Sequence, residues 1–501
     1  MPGGHRRKDL GVNWFQEHSL QLVFVGLYLG LLAWHGWIGQ RKTRELSDFL
    51  VGGRRLGGVV IGLSFYATFV SSVTFVGHAG RSYAFGPSWW MICVIVFTSM
   101  VFLSWFVIAP PFTRRARELG ALTVPDFLGY HYGSTLLRRL SGGVVVVASL
   151  AYMVAVYEGA TRLLGALLDL DPTLVTLIIF IVVTAYTLVG GFHSVVATDA
   201  VQGIILLSGG LLLPLAMVLH AGGLASLLEQ VRQATPTALD WQPDPQLAGD
   251  LTIGTLLGLA LGVGLKIIVE PRQLSRFYGL ADDRQLRRGR WIAPAMLFVT
   301  YLVMLPVGFF AHAFVTPEEL GSGVGRSLTD NVVPHLLGPQ VNLLGPVAGA
   351  FFLTGLVAAA MSSIDSVLLV AASSVDHDLL APDRKNDRGI GITRGWVLML
   401  SATAAGLSLL LEEGITEMSS FSGSLYAACF VPTLILGLFW KQATREGALA
   451  SLVTGFATTL GWFLLRRAEA IGSWGRLHEV YVGLTCSLIV AITIGRIGRG
   501  K

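Results

Sequence analysis

Charge is scarce in this chain. Asp, Glu, Lys and Arg make up 13% of its 501 residues, about half the share carried by a soluble domain, which excludes a large water-solvated module. Cysteine is scarcer still. Cys93, Cys429 and Cys486 each stand inside an apolar run, so neither a disulfide framework nor a CxxC metal or redox centre is available. Also missing are an HExxH zinc motif, a GxSxG nucleophile elbow, a Walker-type phosphate loop and any His and Cys at metal spacing. An enzyme therefore finds no support. After the last apolar run only GRIGRGK follows, so a sensor with a cytoplasmic signalling domain is not expected. A channel would need a continuous polar pathway.

Apolar surface is what the chain has in quantity: 53% of residues are hydrophobic, mean hydropathy is +0.65, and runs near 20 residues recur throughout. That length is what a bilayer-spanning helix needs. The reading is an all-α integral membrane protein of about thirteen transmembrane helices. The spans are placed at 20–40, 56–80, 86–110, 138–165, 172–190, 194–220, 251–269, 291–315, 344–372, 394–412, 417–440, 446–465 and 477–496. The first follows a basic segment, as a signal peptide would, but its run is long and no small-residue cleavage site follows, so it is kept as a span. Sixty glycines suit helices that approach closely through small residues.

The net charge of +5 speaks of orientation rather than of a nucleic-acid partner, and none is expected. Basic residues gather on alternate loops, at Arg41, Lys42, Arg44, Arg54 and Arg55, at Arg114 to Arg139, and at Arg272 to Arg290. Placing that face in the cytoplasm puts the N-terminus outside and the C-terminus inside, which an odd span count requires. The same loops suit anionic lipid heads of the bilayer.

Two spans carry interruptions in their pattern. The second has Gly57, Gly58, Gly62, Ser64, Ser71, Ser72 and Thr74, and the seventh has Gly254, Gly258, Gly262 and Gly264 before Lys266, Glu270 and Pro271. Broken backbone survives in a bilayer only where protein or a polar cavity satisfies it, so two such helices five spans apart point to an inverted repeat with a site at mid-depth. Tight packing through glycine is the plainer alternative.

Charges within spans are costly and mark candidate sites. Ser362, Ser363, Asp365 and Ser366 fill one turn of the ninth span, a set of hard oxygen ligands suited to Na⁺, although serines in a membrane helix also bond to their own backbone. Asp199 opens the sixth span and fits either an N-terminal cap or a cation site. Glu158 and Arg162, spaced i, i+4, read as a structural ion pair. Lys266 has three open roles: snorkelling to the cytoplasmic face, pairing with Glu270, or meeting an anionic substrate.

Six blocks, VGGRRLGG, TVPDFLGYHYG, AYTLVGGFHSVVATDAVQG, EPRQLSRF, AAAMSSIDSVLL and LGLFWKQATREGALASLVTG, resemble the sodium:solute symporters, which include bacterial proline and pantothenate carriers and sodium/galactose transporters. The third and fifth are the specific ones. The resemblance implies a LeuT-like core of two inverted five-helix repeats: 1–55 as tail, first helix and loop, 56–220 as repeat 1, 221–250 as an extracellular loop, 251–440 as repeat 2, and 441–501 as two further helices.

It also implies Na⁺-coupled uptake of a small-molecule solute across the plasma (inner) membrane by a chain that works as a monomer. The sodium ligands it transfers are the carbonyls of Ala67, Val70 and Ala359 and the hydroxyls of Ser362 and Ser363. A second cation is implied at Asp199, Asp365 and Ser366, where Asp365 departs from the small or amide residue of several relatives. The substrate is expected near Ser71, Thr74, Lys266, Ser424 and Tyr426. A lysine there fits a carboxylated solute better than a neutral sugar, and Phe69, standing where the proline carrier has an aspartate, argues mildly against proline. Proton coupling is the rival reading, because Asp199 and Asp365 are titratable.

Overall fold

In a bilayer each span must satisfy its own backbone, and helices do so within one segment. The computed structural model describes residues 14–42, 51–242, 247, 252–320, 326–338, 341–380, 390–411 and 414–497. The N-terminal tail as far as Asn13, Arg44, part of the 221–250 loop and the last four residues fall outside that set. Among the described residues the chain is helical throughout, apart from one isolated backbone bridge between Leu56 and Leu280. Eleven helices there are long and apolar enough to cross a membrane, and Gly58–Phe69 and Pro172–Leu188 are apolar but shorter.

In chain order the elements are α1 (Ser19–Lys42), α2 (Gly58–Phe69), α3 (Val73–Leu119), α4 (Val124–Tyr132), α5 (Thr135–Leu168) and α6 (Pro172–His220). Next come α7 (Leu224–Ala234), α8 (Ile253–Val269), α9 (Pro271–Gly279), α10 (Asp283–Ala313) and α11 (Gly345–Leu380). The last four are α12 (Ile390–Leu410), α13 (Ile415–Phe439), α14 (Arg445–Arg467) and α15 (Glu479–Ile497). Polar caps mark several starts: the Thr123, Ser134, Asp171 and Thr444 side chains each accept an N–H from the first turn of α4, α5, α6 and α14, which satisfies donors that a helix leaves free.

Two groups of helices position the sites. α2, α6 and α11 pack on one another, with α1 laid against α6 and α11, while α8, α13 and α5 form the second group. The two expected interruptions differ in kind. In the second span the helix stops at Phe69, Val70 is extended (φ −75°, ψ 118°), and helix resumes past Ser71. In the seventh the glycines lie inside an unbroken α8, and the backbone turns extended only at Glu270 (φ −64°, ψ 126°), ahead of Pro271. Those glycines serve contact instead: a Cβ on Gly423 of α13 would stand 2.0 Å from the Gly262 carbonyl, so the two helices meet backbone to backbone.

Candidate functional site

The stop at Phe69 decides the first site. Val70 N–H still bonds back to the Tyr66 carbonyl at 3.0 Å, but Ser71 N–H turns to Thr74 Oγ1 at 3.5 Å, so the carbonyls that follow Tyr66 lose their helical partners. Side chains from α11 meet them. Ser362 Oγ donates to Ala67 O at 3.0 Å and to Ala359 O at 3.2 Å, and Ser363 Oγ donates to Thr68 O at 3.4 Å. Ala67, Ala359, Ser362 and Ser363 are thus gathered within the fully buried contact of α2 and α11. Ser363 reaches Thr68, while Val70 stands at the helix stop itself. Carbonyl and hydroxyl oxygens freed together at mid-helix are the donor set a hard alkali cation takes.

One turn further along α11 lies a second cluster. Asp199, Asp365 and Ser366 are all 0% exposed, and the structure brings them together around an equally buried residue that the sequence reading counts in the basic cytoplasmic stretch Arg272 to Arg290. Arg276 of α9 sits 2.7 Å from Asp199 Oδ2 and donates through Nη2 to Ser366 Oγ at 2.5 Å and Thr68 Oγ1 at 3.0 Å. Its Nε donates to Ser64 Oγ at 2.9 Å. Ser64 Oγ in turn donates to Asp199 Oδ2 at 2.8 Å, and Ser366 Oγ to Asp365 Oδ1 at 3.1 Å. Asp199 does not cap a helix. Helix resumes at once around Gly191 (φ 62°, ψ −179°), a conformation that glycine adopts without a Cβ clash, and this places Asp199 about two turns past the kink, inside α6.

The third cluster surrounds Tyr152 of α5. Lys266 Nζ lies 3.9 Å from the centre of its ring and Arg272 Cζ 4.4 Å, a pair of cation–π contacts. Lys266 Nζ also donates to Ser419 Oγ at 3.2 Å. Glu270 pairs with Arg272 at 3.1 Å, which settles the partner of Glu270 as arginine and not Lys266. Lys266 is 1% exposed and does not snorkel. Ser71 Oγ accepts Val73 N–H at 3.2 Å, and Thr74 Oγ1 stands 3.4 Å from the Tyr301 hydroxyl.

The remaining expected substrate residues are engaged elsewhere. Ser424 Oγ donates to Ser420 O of its own helix at 2.8 Å, and the Tyr426 hydroxyl contacts Ser149 Oγ at 2.9 Å. Phe69 packs against Phe97 and Tyr301. Glu158 and Arg162 form the expected i, i+4 pair at 2.6 Å.

Buried ion pairs lie beyond the clusters at both ends of the bundle. At one, Arg81 of α3 pairs with Glu417 of α13, and Asp330 Oδ2 accepts the Ile415 N–H at 3.2 Å. Burial pushes the Asp330 carboxyl up to about 6, against the opposing pull of Arg81. At the other, Arg138 bridges Asp126 at 2.9 Å and Asp378 at 3.1 Å, and Thr123 Oγ1 donates to Asp378 at 2.9 Å. No sequence spacing joins these partners. The signal that could have flagged them is the charge itself, standing beside apolar runs.

A freed-carbonyl and serine site inside such a bundle belongs to a known kind of protein. The sequence profile of the sodium:solute symporter family matches residues 49–455. The chain belongs to that family. The symporter is 28% identical over 492 residues to the osmoregulated proline transporter OpuE of Bacillus subtilis (strain 168), covering 95% of each chain. It is 26% identical over 489 residues to the sodium/pantothenate symporter of Haemophilus influenzae, covering 96% of each. Among solved structures, a Na⁺-coupled sialic acid symporter in a substrate-bound outward-open state shares its fold, with a TM-score of 0.78 at 18% identity over 95% of this chain and 97% of that one. The symporter is accordingly a multi-pass membrane transporter and not an enzyme, and sodium is its coupling ion.

Proposed function

We propose that the symporter imports a small carboxylated organic solute together with sodium by alternating access, on a thirteen-helix, LeuT-like architecture of two inverted five-helix repeats. The observation that carries the ion site is the meeting of Ser362 Oγ with the freed Ala67 carbonyl. The Ala67, Val70 and Ala359 carbonyls and the Ser362 and Ser363 hydroxyls bind the ion. The carboxylate preference rests on Lys266 and Arg272 sharing the Tyr152 ring with only Glu270 to balance them. Two guanidinium nitrogens of Arg272, Nε and Nη1, are buried with no hydrogen-bond partner, and a carboxylate satisfies such donors. In this reading the solute meets Ser71 and Thr74 at the start of α3, and Ser424 and Tyr426 from α13.

Sodium arriving from outside ties α2 to α11 and favours the outward-open state, and linkage raises solute affinity there by the same factor. Solute closes the outer end, and sodium leaves into a cytoplasm where its concentration is low. One net positive charge moved inward contributes about 2.3 kcal/mol per 100 mV, enough for roughly a fiftyfold solute gradient. The N-terminus lies outside, the C-terminus and the basic loops lie in the cytoplasm, and a single chain suffices.

The deciding experiment is solute uptake into proteoliposomes with sodium replaced by potassium at fixed pH. The solute is first found by a thermal-shift screen of carboxylates, sugars, amino acids and vitamins, since a bound ligand raises apparent stability. Ser362→Ala/Ser363→Ala is expected to raise the sodium concentration for half-maximal uptake at least tenfold. Unchanged sodium dependence in that double variant removes the ion-site assignment.

A further inference from the structure

Arg276 does more than neutralise one aspartate. Three oxygens from three helices, Asp199 Oδ2 of α6, Ser366 Oγ of α11 and Thr68 Oγ1 of α2, converge on its single Nη2 atom within 2.5–3.0 Å. Convergence of hard oxygens on one point is the arrangement of a bound cation, and here a nitrogen that cannot lose its charge occupies that point. We propose that Arg276 is a tethered counter-cation that stands where a second sodium would bind, so that the symporter binds one sodium per transport cycle.

The Asp199 carboxylate already has its counter-charge in Arg276, and both are fully buried. Thr68 links the two positions, because its hydroxyl receives Arg276 and its carbonyl receives Ser363. A second sodium added beside Arg276 would meet a like charge about 4 Å away, which at an effective dielectric near 20 lowers its affinity roughly a thousandfold. Asp365 keeps one buried oxygen, Oδ2, without a hydrogen-bond partner, as does Asp199 through Oδ1. Removing the guanidinium would therefore leave ligand oxygens in place for an ion.

This inference rests on the sodium site proposed above, and direct ion counting separates the two. Purified full-length protein is titrated with radioactive sodium by equilibrium dialysis. The expected result is one sodium per chain with a Hill coefficient of 1. Two sodiums bound by the unaltered protein overturn the role of Arg276, whereas none bound overturns the ion site itself. In Arg276→Gln the count is expected to rise to two and the Hill coefficient toward 2, and in Asp199→Asn/Arg276→Gln to return to one. A folded Arg276→Gln protein that still binds one sodium overturns the proposal. If that variant does not fold, the count on the unaltered protein decides alone.

Discussion

The backbone break at Val70 and Ser71 divides the interior into two regions of opposite character. On the α2 side are carbonyl ends, five serines and threonines and two carboxylates, and the positive charge there, Arg276, is held by several oxygens at once. On the α3 side are the N–H end of a helix and two cations over one aromatic ring, and two donors of Arg272 remain without partners. A helix stop presents partial negative charge at its C-terminal end and partial positive charge where the next helix begins. One break thus presents a face that suits a cation on one side and a face that suits an anion on the other, and the polarity of each region follows from which half-helix faces it.

That contrast can be broken at Asp199. Asp199→Asn removes the carboxylate nearest a buried guanidinium, and unpairing a buried ion pair costs about 3–5 kcal/mol. A large fall in the denaturation midpoint of the purified protein is expected, and a stability within about 1 kcal/mol of the parent would show that the cation region is not electrostatically held. Lys266→Met asks the opposite of the other region. Lysine here leans on a hydroxyl and a ring, so its loss strands no buried carboxylate. Anionic solute should bind roughly tenfold to a hundredfold more weakly with the midpoint unchanged or higher, and full retention of affinity would return Lys266 to a packing role.

Tyr152→Leu tests the platform on which the two cations lie. Loss of cation–π contacts worth about 0.5–2 kcal/mol should weaken solute binding a few-fold, and Tyr152→Phe should retain most of it. Equal loss in both variants would shift the effect to the hydroxyl. The smallest effect concerns the ion cluster around Arg81 and Glu417. Asp330 titrates near 6 in the folded chain and near 4 unfolded, so its stabilising contribution is present below about pH 4 and is lost as pH rises through 6. Asp330→Asn should flatten the stability profile between pH 4 and 7 by this one group. An unaltered slope would place the titration elsewhere.

Much of this was legible in the residues. Apolar length located the membrane-crossing helices, and Ser362 and Ser363 stood out as ion candidates because hydroxyls clustered on one turn contrast with Ala and Leu. The stop in the second span was visible as a region but not as a residue, since Gly62 carries no more local signal than the Val70 at which the helix ends. The glycines of α8 were open to two readings because close packing and broken helix share one composition. Only the neighbouring Gly423 decides between them. Asp199 looked like a cap because GG precedes it, yet one glycine at positive φ turned the chain without ending the helix for more than a residue. Arg276 lay in a recognisable block, but its role depends on three helices distant in sequence. No local pattern records that.

The short backbone bridge between Leu56 and Leu280 has a mechanical consequence. Leu56 N–H bonds to Gly279 O at 2.9 Å, and Ala281 N–H bonds to Leu56 O at 3.2 Å, so the chain just before α2 is pinned to the chain just after α9. Main-chain bonds of this kind are indifferent to side-chain identity. The start of α2 and the end of α9 are therefore tied through the main chain, so a displacement of either at this end is passed to the other, and with it to Arg276.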